Sequence, residues 1–225
     1  MGNVLTAEEI SKEFTRVSKG TNRFTALQKT TVALESGRLV VLTGRSGRGK
    51  STLLNILSGL IAPSTGRVSL GGESDVYALP DSRLSKLRAE HIGVIPQGQT
   101  AIHSLTVEEN ILLPSTLFGD KPDAAFAGEL MERLGISQLA GVLPAELSGG
   151  ELRRMAIARA AVRRPEIILA DEPTGDLDDE NTAIVFAFLR ELAADGSAVL
   201  VVTHEPSASD YADSVWSMSS GVLSM

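Results

Sequence analysis

The run Gly44-Arg45-Ser46-Gly47-Arg48-Gly49-Lys50-Ser51, followed by Thr52, places a glycine, four residues and Gly-Lys-Ser in the order a phosphate cradle needs. Its glycines let the backbone wrap so that successive N–H groups point inward at phosphate oxygens. A helix predicted from Thr52 to Leu60 adds the partial positive charge of its N-terminus. Lys50 can reach outer phosphates, and the Ser51 hydroxyl can ligate Mg²⁺. A second chemical unit follows the apolar run Ile167-Ile168-Leu169-Ala170. Asp171, at the end of that run, suits the shell of the same metal ion. Glu172 is placed to polarise a water, either as a general base or as an orienting group. The third unit is Leu147-Ser148-Gly149-Gly150-Glu151. Ser148 and Glu151 have the spacing of a capping box. Two glycines in a first helical turn are costly, about 1 kcal/mol each relative to alanine. Bare backbone at a helix start suits a docking phosphate.

These groups need a scaffold that brings them to one edge. Leu39 to Leu42 runs into Gly44, Ile92 to Ile95 into Pro96-Gln97, Ile167 to Ala170 into Asp171-Glu172, and Val199 to Val202 into Thr203-His204. Continuous apolar runs of this length predict strands buried on both faces of a parallel sheet. Ligands of such sheets gather beyond the carboxyl ends of the strands. Nearer the N-terminus, Thr31 to Glu35 alternates and Arg67 to Leu70 runs into Gly71-Gly72, which predicts an antiparallel patch. From about Leu105 to Arg164 the pattern is helical, with apolar residues three and four apart in Ala124 to Leu134 and Glu151 to Arg164, the latter stopped by Pro165. The expected fold class is therefore α/β, with an N-terminal antiparallel β patch and an inserted helical subdomain. Residues 1–225 read as one domain, its core formed by 1–97 and 165–225 and its helical subdomain by about 98–164.

Composition narrows the chemistry. The chain has 225 residues, 43% hydrophobic and 22% charged, which is ordinary for a globular domain with a buried core. A net charge of −7 argues against a nucleic-acid partner. With no cysteine, thiol catalysis and cysteine-ligated metals are excluded, and three histidines (His91, His103, His204) make a histidine-rich metal site a poor reading. The longest apolar runs are strand-sized, too short to span a bilayer. No secretory signal is read, so the cytoplasm is the expected compartment.

The phosphate loop alone fits several nucleotide-binding families. The order phosphate loop, Gln97, Leu147 to Glu151, Asp171-Glu172, Gly175-Asp176-Leu177-Asp178 and His204 resembles that of the ATP-binding-cassette (ABC) ATPases, over nearly the whole chain. The resemblance implies a P-loop NTPase core, ATP and Mg²⁺ as ligands, and catalysis by Lys50, Gln97, Glu172 and His204. In it, Ser51, Gln97 and Asp171 hold the metal, and Ser148 to Gly150 close as a signature on the nucleotide of a second copy. Asp176, Leu177 and Asp178 form the loop that links the two sites, and His204 contacts the terminal phosphate. Phe14 takes the place of the adenine-stacking aromatic, with Phe24 as its rival; either ring can stack.

The segment Leu105 to Pro114 is similar to that of lipoprotein-release and macrolide-export ATPases, with cell-division ATPases as close relatives. These relatives imply a homodimer that drives a separate integral membrane permease from the cytoplasmic face, for export, extraction or force transmission. A soluble ABC ATPase or a cell-division-type regulatory ATPase is the alternative. Ile102, Leu105 and Val107 are apolar residues suited to lining the groove that receives the permease, or each to filling the lobe's own core. Three departures stand out: Arg45 and Arg48 make the phosphate loop more basic than is usual, Glu151 replaces the commoner glutamine, and Asp176 stands where small or amide residues are frequent.

Overall fold

A computed structural model describes residues 2–16, 22–98, 100–175 and 177–225. Along the chain the elements are β1 (Asn3–Arg16), β2 (Asn22–Glu35), β3 (Leu39–Thr43), α1 (Lys50–Leu57), β4 (Thr65–Leu70), α2 (Asp81–His91), β5 (Ile92–Ile95), α3 (Val107–Leu117), α4 (Ala124–Arg133), α5 (Gly149–Ala161), β6 (Ile167–Asp171), α6 (Asp179–Ala194), β7 (Ala198–Val202), β8 (Ser214–Ser219) and β9 (Val222–Ser224). A six-stranded sheet has the order β5-β6-β7-β3-β8-β9. Its first five strands are parallel, and β9 turns back antiparallel to β8. A three-stranded antiparallel sheet, β2-β1-β4, lies beside it.

Strand alternation explains why the central runs are apolar at every position. Successive side chains of a strand point to opposite faces. Leu39, Val41, Ile168, Ala170, Val199 and Val201 enter one core, shared with α3 to α6. Val40, Leu42, Ile167, Leu169, Leu200 and Val202 enter a second core, shared with α1 and the antiparallel sheet. Both faces are covered, so neither set of positions tolerates polar residues. The four predicted parallel strands and the antiparallel patch are all present.

Several elements differ from the sequence expectation. Helix α1 begins at Lys50 and ends at Leu57, whereas Thr52 to Leu60 was predicted. Strand β1 breaks its alternation through register shifts between Ala7 and Ile10 and again around Lys12, and Glu9 has φ 53°. Helix α2 buries only Leu87, too little for a periodic stripe. Strand β8 buries only Trp216 and Met218. Val107 is fully buried in the core against α4 and α5, so it cannot line a surface groove. Ile102 is 43% exposed, and Leu105 is half-buried.

One buried polar residue organises the approach to α3. Asn110 is fully buried; its Oδ1 accepts from Ile102 N–H (2.8 Å), and its Nδ2 donates toward the carbonyls of Ile102 (3.0 Å), Leu105 (2.9 Å) and Thr106 (2.9 Å). Asn110→Ala removes the side-chain partner of the Ile102 N–H and of the Leu105 carbonyl, whereas the carbonyls of Ile102 and Thr106 keep the backbone N–H groups of Leu105 and residue 110, so the cost is about 1–3 kcal/mol. Urea denaturation measures this as a lower midpoint at unchanged slope. An unchanged midpoint would mean that water replaces the amide without loss.

Candidate active site

The phosphate loop joins β3 to α1 at the carboxyl edge of the large sheet. Gly44, Gly47 and Gly49 have φ of 144°, 74° and 103°. These are backbone conformations that side chains disfavour. Space is also absent at two of them: a Cβ at Gly49 would lie 2.2 Å from the Ala26 carbonyl oxygen, and one at Gly44 would lie 2.4 Å from that of Met218. The loop therefore holds its shape because the neighbouring strands leave room for nothing larger than hydrogen.

A cleft of about 710 Å³ opens over this loop. Ser46 to Thr52, Asp171, Glu172, Gln97, Phe14 and Phe24 are among the residues that line it. Gly44 and Arg45 do not line the cleft but are tied to Lys50: its buried ammonium donates to the Gly44 carbonyl and to that of Arg45 (3.3 Å). Ser51 and Asp171 line the cleft together. Burial pushes the Asp171 carboxyl above its ordinary pKa, with Glu172 adding to the rise and Ser51 and Lys50 opposing it. A nearby divalent cation would remove that penalty.

Glu172 has φ 48°, so the chain turns sharply as it leaves β6. The turn aims its carboxylate at the end of β7. There Oε2 accepts from the Thr203 hydroxyl (3.1 Å) and lies 3.0 Å from His204 Nδ1 and 3.4 Å from His204 N. Sequence reading assigned Glu172 and His204 separate tasks, and the structure places them in direct contact. It missed Thr203, although the position between a buried strand and His204 marks it as a neighbour of the same edge.

Gln97 follows β5 and is exposed on the cleft wall. Its backbone is held from α5: Arg153 Nη1 donates to the Pro96 carbonyl and Nη2 to that of Gln97, each at 2.6 Å. Sequence reading gave Arg153 no role. Phe14 and Phe24 are cross-strand partners whose rings stack at 5.7 Å and 27°. The Lys12 ammonium lies 5.3 Å from the Phe14 ring centre. Both aromatics line the cleft, so the choice between them becomes a stacked pair.

The signature residues lie elsewhere on the chain's surface. Ser148 caps α5, its Oγ accepting from Glu151 N–H (3.3 Å). Glu151 Oε2 in turn accepts from the Ser148 N–H and hydroxyl, both at 2.7 Å. These two bonds hold the Glu151 carboxyl below its ordinary pKa. Leu147 packs on the core, while Ser148 and Gly149 are exposed and outside the cleft. Gly150 approaches Leu177: a Cβ there would stand 3.4 Å from Leu177 Cδ2. Arg154 donates to Asn181 Oδ1, and Asn181 donates to Asp178 Oδ1 (2.7 Å). Leu177 and Asp178 are thus tied to the signature helix within one chain. Asp176 lies outside the described residues.

This arrangement has known counterparts. The sequence profile described as "ABC transporter" matches residues 27–175. The chain belongs to the ABC transporter family. The ABC cassette is 42% identical over 190 residues to the lipoprotein-releasing system ATP-binding protein LolD of Shewanella oneidensis, covering 83% of this chain and 82% of that one. It is 38% identical over 224 residues to the macrolide export ATP-binding/permease protein MacB of Rhodopseudomonas palustris, covering 99% of this chain and 34% of that longer one. A solved dimeric structure of the MJ0796 cassette superposes with a TM-score of 0.87 at 30% identity, covering 96% of this chain and 95% of that one. The same neighbour is solved in a post-hydrolysis state with ADP and Pi. The cassette has the α/β fold expected of the family, and it is an ABC-type ATPase.

Proposed function

We propose that this cassette works as a homodimer that holds two ATP molecules between its copies and drives a separate integral membrane permease. The observation that carries the reading is a division of labour. Lys50, Ser51, Asp171, Glu172 and Gln97 share one cleft, while Ser148 presents an exposed helix start outside it. An exposed helix N-terminus outside its own chain's cleft is complementary to a phosphate held by a second copy. The proposed division of residues 1–225 has a nucleotide-binding core (1–97 and 165–225) and a helical lobe (about 98–164) that carries Ser148.

In each site the loop amides and Lys50 hold the phosphate chain, and Phe14 with Phe24 stacks the base. The donor set suits Mg²⁺: a hydroxyl, an amide oxygen and one carboxylate, all hard oxygens, leaving positions for phosphate and water. Among the described residues no cluster of three or more His, Cys, Asp or Glu side chains could hold a metal ion, which fits an ion that arrives with the nucleotide. Mg²⁺ would neutralise charge developing on the transferred phosphoryl group. Glu172 Oε2 is committed to Thr203 and His204. That leaves Oε1 to accept the proton of the attacking water. On this reading His204, held against Glu172, contacts the terminal phosphate.

The membrane partner is supported by the surface of the helical lobe. Among the described residues no helix is long and apolar enough to cross a membrane. Yet Ile102, Leu117 and Phe118 leave 43%, 69% and 50% of their surface exposed near one another in sequence. The proposed partner binds there, at the cytoplasmic face of the membrane. Ile102→Glu with Leu117→Glu should lose the integral membrane partner that the wild type retains through detergent extraction. Phosphate release by the purified double variant should stay within about twofold, because exposed substitutions far from the cleft cost little. Undiminished recovery of that partner would place the docking surface elsewhere.

A further inference from the structure

Arg48 and Arg45 are the two basic residues of the phosphate loop whose side chains the scheme above leaves without a task, and of the two Arg48 lines the cleft. It sits between Gly47 and Gly49, is exposed, and lines the cleft with Ser46 and Lys50. Its guanidinium Nη1 donates to the Ser220 hydroxyl at 3.0 Å. That acceptor is neutral. Arg67, Arg163 and Arg190 pair with the carboxylates of Glu8, Asp120 and Asp213, while Arg153 and Arg154, like Arg48, bond neutral acceptors, and of these Arg48 alone lines the cleft. Ser220 stands in the tight turn between β8 and β9 at φ 51°, an uncommon conformation for a residue with a side chain. The turn is fixed without help from the Arg48 side chain. Gly221 N–H donates to the Arg48 carbonyl (3.1 Å), and the Gly221 carbonyl accepts from Gln28 N–H (2.8 Å). Ser220 and Gly221 line the same cleft, so the guanidinium rests on its wall.

We propose that Arg48 is an additional ligand of the nucleotide's phosphate chain, held on Ser220 until a phosphate oxygen displaces the hydroxyl. This rests on the nucleotide reading given above. The exchange favours phosphate because its negative charge adds Coulomb attraction to the guanidinium, which the neutral Ser220 hydroxyl lacks. A planar guanidinium also matches a phosphate with two parallel bonds, which a lone hydroxyl cannot offer. The added cation acts on every nucleotide that carries a phosphate chain and ignores the base. It therefore tightens ADP as well as ATP, and product release becomes sensitive to ionic strength.

Calorimetric titration of the full chain with ADP, ATP and adenosine separates phosphate from base contacts. R48S should weaken ADP and ATP alike, by about tenfold or more at low salt, the range of a lost hydrogen bond to a charged group. Adenosine should bind R48S and wild type within about twofold, and R48K should fall between the two for ADP. S220A removes the resting partner only, so it should bind ADP as tightly as the wild type or more tightly. R48S with unchanged ADP affinity would overturn the proposal. So would S220A weakening ADP as much as R48S, since Arg48 would then act only by fastening the β8–β9 turn. R48K supplies the comparison with wild type if R48S does not fold. A wild-type chain that binds no ADP or ATP would instead overturn the nucleotide reading itself.

Discussion

Glu172→Gln should stop turnover while leaving ATP bound, with hydrolysis falling about 10²-fold or more, the scale of a lost general base. The amide is nearly isosteric with the carboxylate. Its oxygen can still accept from the Thr203 hydroxyl, now held at 3.1 Å, so the turn at φ 48° has no reason to relax. What the amide cannot do is take a proton from water. Phosphate release measures the loss, and equilibrium binding of ATP shows that affinity survives. Wild-type turnover in this variant would remove Glu172 from the chemistry and leave His204 or Asp171 as the group to examine.

The second large effect comes from separating the two halves of one site. Lys50→Ala removes the buried ammonium proposed to hold the phosphates, and Ser148→Arg blocks the exposed start of α5. Each homodimer should be inactive. In a mixed dimer, one composite site joins Lys50→Ala to Ser148→Arg and the other joins two intact surfaces. Mixing the variants should therefore restore hydrolysis. Fluorescence transfer between labelled copies confirms that mixed dimers form. Mixed dimers that form and remain as inactive as the parents would contradict a site shared between copies in which either site alone can turn over.

The sequence exposed those parts of the site whose chemistry needs fixed residues at short spacing. The phosphate loop, Asp171-Glu172 and Ser148 to Glu151 are all contiguous runs, and each has the local structure expected of it: a left-handed glycine loop, a strand end and a capping box. The parallel strands were readable for a related reason. Leu39 to Leu42, Ile167 to Ala170 and Val199 to Val202 face two cores, so every position must be apolar.

What escaped the sequence depends on contacts between distant segments. Arg153 sits on a helix that reads as a surface-and-core stripe, and nothing local says that its guanidinium will hold the carbonyls of Pro96 and Gln97. The Arg48–Ser220 bond joins residues 172 positions apart. Val107 was open to either reading, groove or core, because it follows Ile102 and Leu105 in an apolar segment. The capping box of Thr106 and Glu109 starts α3 at Val107 and turns that side chain into the core. Helix α2 and strand β8 escaped because each buries one or two large side chains, too few to set a period.

Sedimentation of the Glu172→Gln cassette tests the central claim, that ATP itself is held between two copies. With ATP and Mg²⁺ the protein should move from monomer to dimer, because both the phosphate loop of one copy and Ser148 of the other need the nucleotide to meet. With ADP it should stay monomeric, since the terminal phosphate that Ser148 is proposed to contact is missing. A Glu172→Gln protein that binds ATP, as measured in the same sample, and still sediments as a monomer would contradict a nucleotide shared between two subunits.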